Sequence, residues 1–119
     1  MISIKRGEIH LAALDPTVGR EIAKTRPVVI ISNDISNQYS GTVTVLPITS
    51  QNLAKIYPFE VELKKGAANL PKASKVKTDQ IRSIDKRRIV KRIGALNAES
   101  IFGIEKALKI HLDLVTEGH

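Results

Sequence analysis

Apolar residues recur along the chain at the short spacings that are typical of β-strands. The segment 27–32 is apolar at consecutive positions and rich in β-branched residues, which predicts a central strand covered on both faces. The segment 8–14 alternates loosely and would place Ile9, Leu11 and Ala13 on one face. We therefore expect one buried face in the earlier strand and two in the later one.

Further strand patterns follow, separated by turn-forming residues. Apolar and acidic residues alternate at 58–63, which predicts a half-exposed strand, and the segment 80–86 fits either a strand end or a short helical turn. Asparagine, aspartate and serine at 33–37 predict a turn, and the polar segment 16–26 predicts an exposed loop. The remaining strands are predicted at 42–48, 74–78 and 89–96.

The C-terminal part of the chain has the spacing of an amphipathic helix. Asn97 is a favourable N-cap, Glu99 stands in the first turn, and Gly118 would follow the helix end. The apolar residues at helical spacing are Ile101, Ile104, Leu108, Leu112 and Val115. Short strands followed by one helix predict an α+β, mainly β fold, built as a curved antiparallel sheet or a small open barrel.

The composition fits one small aliphatic core and a polyanionic partner. The length of 119 residues suits a single domain, 1–119, and the 42% hydrophobic but only 3% aromatic content predicts a core of Ile, Val, Leu and Ala. The net charge of +7 favours a nucleic acid as partner, although a small domain also carries such a charge for solubility alone.

Several classes of site lack the residues they need. The chain has no cysteine, which excludes disulfides, thiolate–zinc sites and a cysteine nucleophile. His10, His111 and His119 fall in separate segments, so a catalytic histidine pair is not expected. We expect no metal and no cofactor, because no Walker loop, HExxH motif, GxGxxG motif or carboxylate ladder is present. Neither a signal-peptide core nor an apolar run of bilayer length is visible, which predicts a soluble, cytoplasmic protein with no membrane contact.

Polar residues at the ends of two predicted strands form the most informative group. Arg26 immediately precedes the central strand, and Thr49, Ser50 and Gln51 follow the next one. A guanidinium together with hydroxyl and amide groups is suited to grip one phosphate. Spacing alone leaves open that Arg26 is a solvated rim charge and that the second group is an ordinary loop.

Five segments share a linked pattern, of which the most recognisable is KTRPVVIISND at 24–34. The others are RGEI at 6–9, DPTVG at 15–19, ITSQ at 48–51 and DQIRSIDK at 79–86. In their order and spacing these segments resemble the MazF and PemK toxins, the mRNA interferases of bacterial toxin–antitoxin pairs. The resemblance covers nearly the whole chain.

The resemblance implies a small SH3-like barrel of the CcdB and PemK type, with antiparallel strands and a C-terminal amphipathic helix. It also implies a homodimer, sequence-specific and metal-independent cleavage of single-stranded RNA, and a cognate MazE-like antitoxin that occupies the RNA groove. By position, Arg26 and Thr49 correspond to the catalytic pair. The positions that correspond to RNA-binding residues are Glu21, Lys24, Ser50, Gln51 and Gln80.

RNA supplies its own nucleophile in the 2′-hydroxyl, so the expected products are a cyclic phosphate and a 5′-hydroxyl end. We expect Arg26 to stabilise the phosphoryl charge and Thr49 to hold a non-bridging oxygen, while either Glu21 or Arg26 handles the proton. Arg20 and Ile22 depart from the family's usual pattern, so the recognised RNA sequence cannot be copied from relatives.

Aromatic residues are scarce, which favours recognition of unpaired bases by hydrogen bonds over recognition by stacking. The four aromatic side chains are Tyr39, Tyr57, Phe59 and Phe102. Because one fold carries several activities, a toxin of the same fold that acts on DNA gyrase and a passive RNA-binding barrel are the alternatives.

Overall fold

The computed structural model describes residues 3–114. Within that range the chain forms seven strands and two α-helices: β1 Glu8–Ala13, β2 Thr25–Ile30, α1 Asp34–Tyr39, β3 Thr42–Thr49, β4 Glu60–Leu63, β5 Ser74–Lys77, β6 Arg82–Asp85, β7 Ile89–Ala95 and α2 Ala98–His111. Short 3-10 turns occupy Ala67–Asn69, Thr78–Gln80 and Lys86–Arg88.

The strands form one curved antiparallel sheet in the order β4-β5-β3-β2-β1-β7. β3 is the longest strand and determines the curvature, because β2 occupies one of its edges and two strands share the other. Thr42 to Val45 pair with β6, and Ile48 and Thr49 pair with β5. The predicted α+β, mainly β fold with a curved antiparallel sheet and a C-terminal helix is confirmed.

β2 buries both faces, as its consecutive apolar residues predicted. Val28 and Ile30 belong to one core cluster, which also contains Leu14 and Val45. Val29 points the other way, into a second cluster that includes Ile104 of α2. Consecutive side chains of a strand point to opposite faces, so a strand between two cores must be apolar throughout.

Two strand predictions need correction. The central strand begins at Thr25 rather than at position 27, so Arg26 lies inside β2 instead of before it. β1 was expected to bury the face of Ile9, Leu11 and Ala13, but only Ile9 of that face is fully buried, and His10 and Ala12 are fully buried as well. The alternating pattern missed this because the pairing with β7 shifts register between Ile9 and His10 and again between Leu11 and Ala12.

The segment 33–37 is the start of a helix rather than a turn. Asn33 caps α1, because its side-chain oxygen accepts a hydrogen bond from the Ser36 amide at 2.8 Å. Asparagine, aspartate and serine favour helix caps and turns for the same reason, since their side chains bind nearby backbone groups. The ambiguous segment 80–86 contains both of its alternatives, a 3-10 turn that ends at Gln80 and then β6.

The C-terminal helix begins where predicted but ends earlier. Asn97 caps α2 by accepting from the Ser100 amide at 2.8 Å. The helix ends at His111 rather than near Gly118, because Asp113 adopts a left-handed conformation with φ of 54°. The Asp113 and Leu114 amides then donate to the carbonyls of Ile110 and Lys109, which is a Schellman ending. Val115, Gly118 and His119 lie outside the described residues.

None of the helices between residues 3 and 114 has the length and apolar character needed to cross a bilayer.

Candidate active site

Arg26 and Thr49 lie on neighbouring strands at one end of the sheet. β2 and β3 pair antiparallel as far as Val28 opposite Pro47, and Arg26 and Thr49 each lie two residues beyond that last pair. Side chains two residues apart along a strand share a face, so Arg26 and Thr49 continue the face of Val28 and Pro47. The structure therefore places at one end of the sheet two residues that lie more than twenty positions apart in the sequence.

Most of the hydrogen-bonding capacity of Arg26 faces outward. Its Nε donates to the Ala23 carbonyl at 3.2 Å, which fixes the direction of the side chain. Within residues 3–114 no protein acceptor binds its two terminal nitrogens. Because a guanidinium offers donors in a planar fork, these nitrogens are suited to hold two oxygens of one phosphate.

The Thr49 hydroxyl shapes the start of the next loop. Its oxygen accepts a hydrogen bond from the Gln51 amide at 3.1 Å, and this local turn directs Gln51 toward the cleft beside β3. The hydroxyl proton remains available to a ligand, because a hydroxyl donates as well as accepts. Ser50 is fully exposed in the same turn.

A cleft of about 500 Å³ lies next to Thr49 and is rich in cations. Arg20, Lys75 and Lys77 supply positive charge, and Asp79 is the acidic residue in its wall. Thr49, Gln51 and Gln80 are the predicted site residues that line it, together with Ile22 and Asn52. Lys75 and Lys77 form ion pairs with Glu60 and Asp79, whereas Arg20 has no ion-pair partner within residues 3–114 and is available to a polyanion such as a nucleic-acid strand.

A second cleft, of about 530 Å³, lies beside α1 and is lined mainly by hydroxyl and amide groups. Its cation is Arg6, whose Nη2 is 2.8 Å from Glu105 Oε2. With its charge paired in this way, the α1 cleft is less suited to a phosphate than the cleft beside Thr49.

The loop between β1 and β2 carries two of the predicted site residues, Glu21 and Lys24. Glu21 folds back on this loop, where its Oε1 accepts from the Val18 amide at 2.5 Å. Lys24 has a left-handed φ of 70°, and its amide donates to Asp15 Oδ2 at 3.1 Å, so its backbone closes the loop while its side chain stays exposed. These bonds give the exposed loop a defined shape.

Gln80 acts on this loop from the other side of the cleft. Its Oε1 accepts from the Ile22 amide at 3.2 Å, and its Nε2 donates to the Arg20 carbonyl at 3.4 Å. The side-chain amide of this predicted RNA-binding residue is therefore bonded to the backbone of the loop. Through these bonds it holds Arg20 and Ile22 at the cleft.

Two arginines that the sequence did not single out hold the first residues of the same loop. Arg82 donates to the Leu14 carbonyl at 3.2 Å, and Arg88 donates to the carbonyls of Ala13 and Asp15. Arg82 lies in the resembling segment 79–86, which was the available signal. No local pattern could have shown which backbone it would bind.

A buried ion pair supports the other wall of the cleft. The Lys75 ammonium is 3.0 Å from Glu60 Oε1 and also donates to the carbonyls of Asn52 and Lys55, at 2.9 and 3.1 Å. Lys77 binds the second carboxylate oxygen of Glu60 at 2.7 Å. The segment that follows Gln51 is thus held to β5 by a single charged group.

The prediction that the acidic side of β4 is exposed needs correction, because the Glu60 side chain is fully buried. Burial alone would raise the pKa of Glu60, but hydrogen bonds from Lys77, the Tyr57 amide and Lys75 outweigh it, so the pKa is below its ordinary value. The pKa of Lys77 is raised, since its bond to Glu60 and the charge of Asp79 outweigh desolvation. Glu60 and Lys77 are therefore both charged at neutral pH.

The histidines do not form a catalytic pair within residues 3–114. His10 is buried in β1, with Nε2 3.0 Å from Glu8 Oε1, whereas His111 is exposed at the end of α2 against the Phe59 ring. His119 lies outside the described residues. In the same range, the side chains of histidine, cysteine, aspartate and glutamate nowhere gather in a group of three that could hold a metal ion.

The family follows from residues 5–112, which match the model of the PemK-like, MazF-like toxin of type II toxin–antitoxin systems. The chain belongs to this toxin family. It is 41% identical over 116 residues to Endoribonuclease MazF9 of Mycobacterium tuberculosis, and the match covers 93% of this chain and 98% of that relative. The resemblance drawn from the five sequence segments is thereby confirmed.

Solved structures of MazF proteins share the architecture of this toxin. MazF from Deinococcus radiodurans superposes with a TM-score of 0.82 at 28% identity, over 96% of this chain and all of that one. A MazE–MazF complex from the same organism superposes with a TM-score of 0.70, also at 28% identity and over 96% of this chain. The curved sheet and its terminal helix thus have the architecture of solved MazF proteins.

Proposed function

We propose that this toxin is a sequence-specific, metal-independent endoribonuclease that cuts single-stranded RNA. The observation that carries the proposal is the position of Arg26 and Thr49 at the same end of neighbouring strands, each two residues beyond the last β2–β3 pair, with Thr49 lining a cleft that also contains Arg20. The name of the relative from Mycobacterium tuberculosis supports it. Cleavage of RNA by transesterification needs no added nucleophile, because the 2′-hydroxyl lies next to the phosphate.

In this mechanism Arg26 holds the scissile phosphate through its two terminal nitrogens. The 2′-hydroxyl gives its proton to a base as its oxygen bonds to phosphorus, negative charge develops on the non-bridging oxygens, and the bond from phosphorus to the 5′-oxygen breaks as that oxygen takes up a proton. A guanidinium stays protonated at physiological pH, so Arg26 stabilises the developing charge throughout. The Thr49 hydroxyl donates to a second non-bridging oxygen. The products are a 2′,3′-cyclic phosphate and a 5′-hydroxyl end.

The remaining site residues fall into two roles. Lys24, Ser50 and Gln51 are exposed and bind the RNA backbone and unpaired bases. Glu21 and Gln80 hold the β1–β2 loop in shape, since their side chains bond the loop backbone. Glu21→Gln separates these roles, because the amide oxygen keeps the bond to Val18 but cannot accept a proton. If Glu21 is the base, this variant loses activity while the loop keeps its fold.

The test is cleavage of a long unstructured RNA in the presence of EDTA, with cut sites mapped by primer extension. Wild-type protein should give discrete cuts with 5′-hydroxyl ends. Removing one donor to a transition-state oxyanion costs roughly 100- to 1000-fold in kcat, which is the loss we expect for Arg26→Ala and Thr49→Val. Arg87→Ala is the matched control, because Arg87 is exposed and its removal lowers the net charge equally.

Intact RNA in the wild-type reaction would refute the proposal and direct attention to DNA gyrase as a target. Cleavage by Arg26→Ala at the wild-type rate would refute the assigned role of Arg26. Equal losses in Arg26→Ala and Arg87→Ala would show that general charge, rather than a positioned guanidinium, supports activity.

The proposal extends to partners and location. A MazE-like antitoxin would neutralise the toxin by laying an acidic segment in the RNA groove, where the cations of the cleft would attract it. The MazE–MazF complex from Deinococcus radiodurans supports a partner of this kind. The toxin would act in the cytoplasm as a homodimer. Sedimentation at micromolar concentration should give twice the chain mass of 13.1 kDa, and a monomer would contradict this.

A further inference from the structure

Three side chains just beyond the cleft form a surface that the proposed reaction does not use. The Tyr57 and Phe59 rings are stacked, with centroids 5.4 Å apart and planes 11° from parallel. The Lys55 ammonium stands 4.7 Å from the centroid of the Tyr57 ring. We call Lys55, Tyr57 and Phe59 the Tyr57 platform.

The backbone of the platform is anchored at each of its members. The Lys55 carbonyl accepts from the buried Lys75 ammonium, and the Tyr57 amide donates to Glu60 Oε1 at 3.0 Å. The Phe59 carbonyl accepts from the hydroxyl of Thr78, which is fully buried. Because these hydrogen bonds fix the backbone, the aromatic rings are held at the surface in a defined position. Tyr57 keeps 42% of its area exposed, which is unusual for an anchored aromatic residue.

The backbone of the platform is tied to one wall of the cleft. Lys75 binds the carbonyl of Asn52, which lines the cleft, and the carbonyl of Lys55, which opens the platform, so one ammonium holds the two sites side by side. In the sheet, Thr49 pairs with Lys75, and Lys75 pairs with Glu62 of β4. β4 therefore runs two strand spacings, about 10 Å, from the strand that carries Thr49.

We propose that the Tyr57 platform is a stacking subsite for an unpaired nucleobase that flanks the scissile phosphate. A base would stack on the face of Tyr57 that Lys55 now covers, while Phe59 supports the ring from behind. An exposed cation–π contact is weaker than base–aromatic stacking, so Lys55 gives way readily. Its ammonium would then bind the phosphate of the same nucleotide. This inference rests on the proposed function, since it assigns a second contact to the same RNA.

The chain contains no tryptophan, which allows a direct optical test. Tyr57→Trp places a single tryptophan in the platform, and Tyr39→Trp places one on α1, where Tyr39 is 77% exposed. The probe is a short RNA that contains the mapped cut and carries a 2′-deoxy nucleotide at the scissile position, so that it binds without being cut. RNA should quench the fluorescence of the Tyr57→Trp protein with the same midpoint as fluorescence anisotropy of labelled RNA, and leave the Tyr39→Trp protein unchanged. No quenching, or equal quenching in the two proteins, would overturn the proposal.

A second measurement removes one stacking partner at a time, first the aromatic ring of the protein and then the base of the RNA. Tyr57→Leu keeps an apolar contact for Phe59 but removes the aromatic face, and should raise KM about tenfold while leaving kcat unchanged. An RNA that lacks one base at the flanking position should bind the wild-type protein about tenfold more weakly. The Tyr57→Leu protein should bind this RNA as tightly as it binds the complete RNA. Independent, additive losses would refute a direct stack between that base and Tyr57.

The two proposals fail in different assays. One outcome is that RNA quenches the Tyr57→Trp fluorescence, while the wild-type protein does not cut the same RNA with its 2′-hydroxyl present. This outcome contradicts the proposed nuclease activity and supports the platform. Efficient cleavage without quenching contradicts the platform alone. If the wild-type protein cuts no RNA, the titration uses the long unstructured RNA itself, and absence of binding there overturns both.

Discussion

Replacement of Lys75 by methionine tests whether the buried ion pair holds the wall of the cleft. Methionine fills a similar volume but removes the ammonium, so the carbonyls of Asn52 and Lys55 lose their donor. Glu60 loses one of its three donors and keeps Lys77 and the Tyr57 amide. The perturbation is therefore a loss of buried charged hydrogen bonds without complete isolation of the remaining charge.

The expected cost can be estimated from these bonds. Removing one partner of a buried ion pair costs about 3–5 kcal/mol when the other charge is left unpaired. Lys77 still neutralises Glu60, so we expect the lower end, about 3 kcal/mol in the free energy of unfolding. For a chain of this length such a loss lowers Tm by roughly 10 °C. Loss of the anchor should also weaken cleavage, because Gln51 and Asn52 then lose their fixed position at the cleft.

The assay is urea unfolding at pH 7, with Lys72→Met as the matched control. Lys72→Met is the same chemical change at an exposed position. It should therefore alter the free energy of unfolding by no more than about 0.5 kcal/mol. A Lys75→Met protein within about 1 kcal/mol of the wild type would refute the reasoning. It would show that the attraction within the ion pair only compensates for the free-energy cost of desolvating its charges.

The same pair predicts how stability depends on pH. Since the pKa of Glu60 is lower in the folded protein than its ordinary value of 4.5, the carboxylate form stabilises the fold. Its contribution is fully present above that ordinary value and is lost as the pH falls through the lower, folded value. The stabilities of wild type and Glu60→Gln should therefore converge in acid. A constant difference between them from pH 7 to pH 3 would contradict the assignment.

Three further changes test the loop, the packing and the helix start. Gln80→Leu removes the acceptor for the Ile22 amide, so hydrogen exchange at that amide should rise at least about tenfold, and unchanged protection would disprove the anchoring role. Gly94→Ala would place a Cβ 2.4 Å from the Ala68 carbonyl oxygen, so we expect urea unfolding to show a loss of about 2 kcal/mol; unchanged stability would mean that this contact yields freely. Asn97→Ala should cost about 1 kcal/mol through the lost cap of α2, whereas Asn97→Asp should retain it in the same assay.

The sequence was sufficient wherever a property depends on neighbouring residues. Consecutive β-branched residues predicted that β2 lies between two cores, and Asn97 with the spacing after it predicted the start of α2. Ordered motifs identified the family and its candidate pair, Arg26 and Thr49. Where local signals are shared by two structures the sequence was ambiguous, as with Asn33, whose side chain caps a helix as readily as it makes a turn.

Only the tertiary structure decided which distant groups meet. The register of β4 against β5 placed Glu60 beside Lys75 and Lys77. Glu60 is therefore buried in an ion pair, although the alternating pattern of β4 predicted that its acidic residues are exposed. Strand register is set by packing between segments far apart in the chain, which no local pattern encodes. The scarcity of aromatic residues had argued against base stacking, and only the structure showed that the Tyr57 and Phe59 rings stack on one another at the surface. The sequence thus determined the elements and the candidate chemistry, while non-local pairing determined the walls of the site.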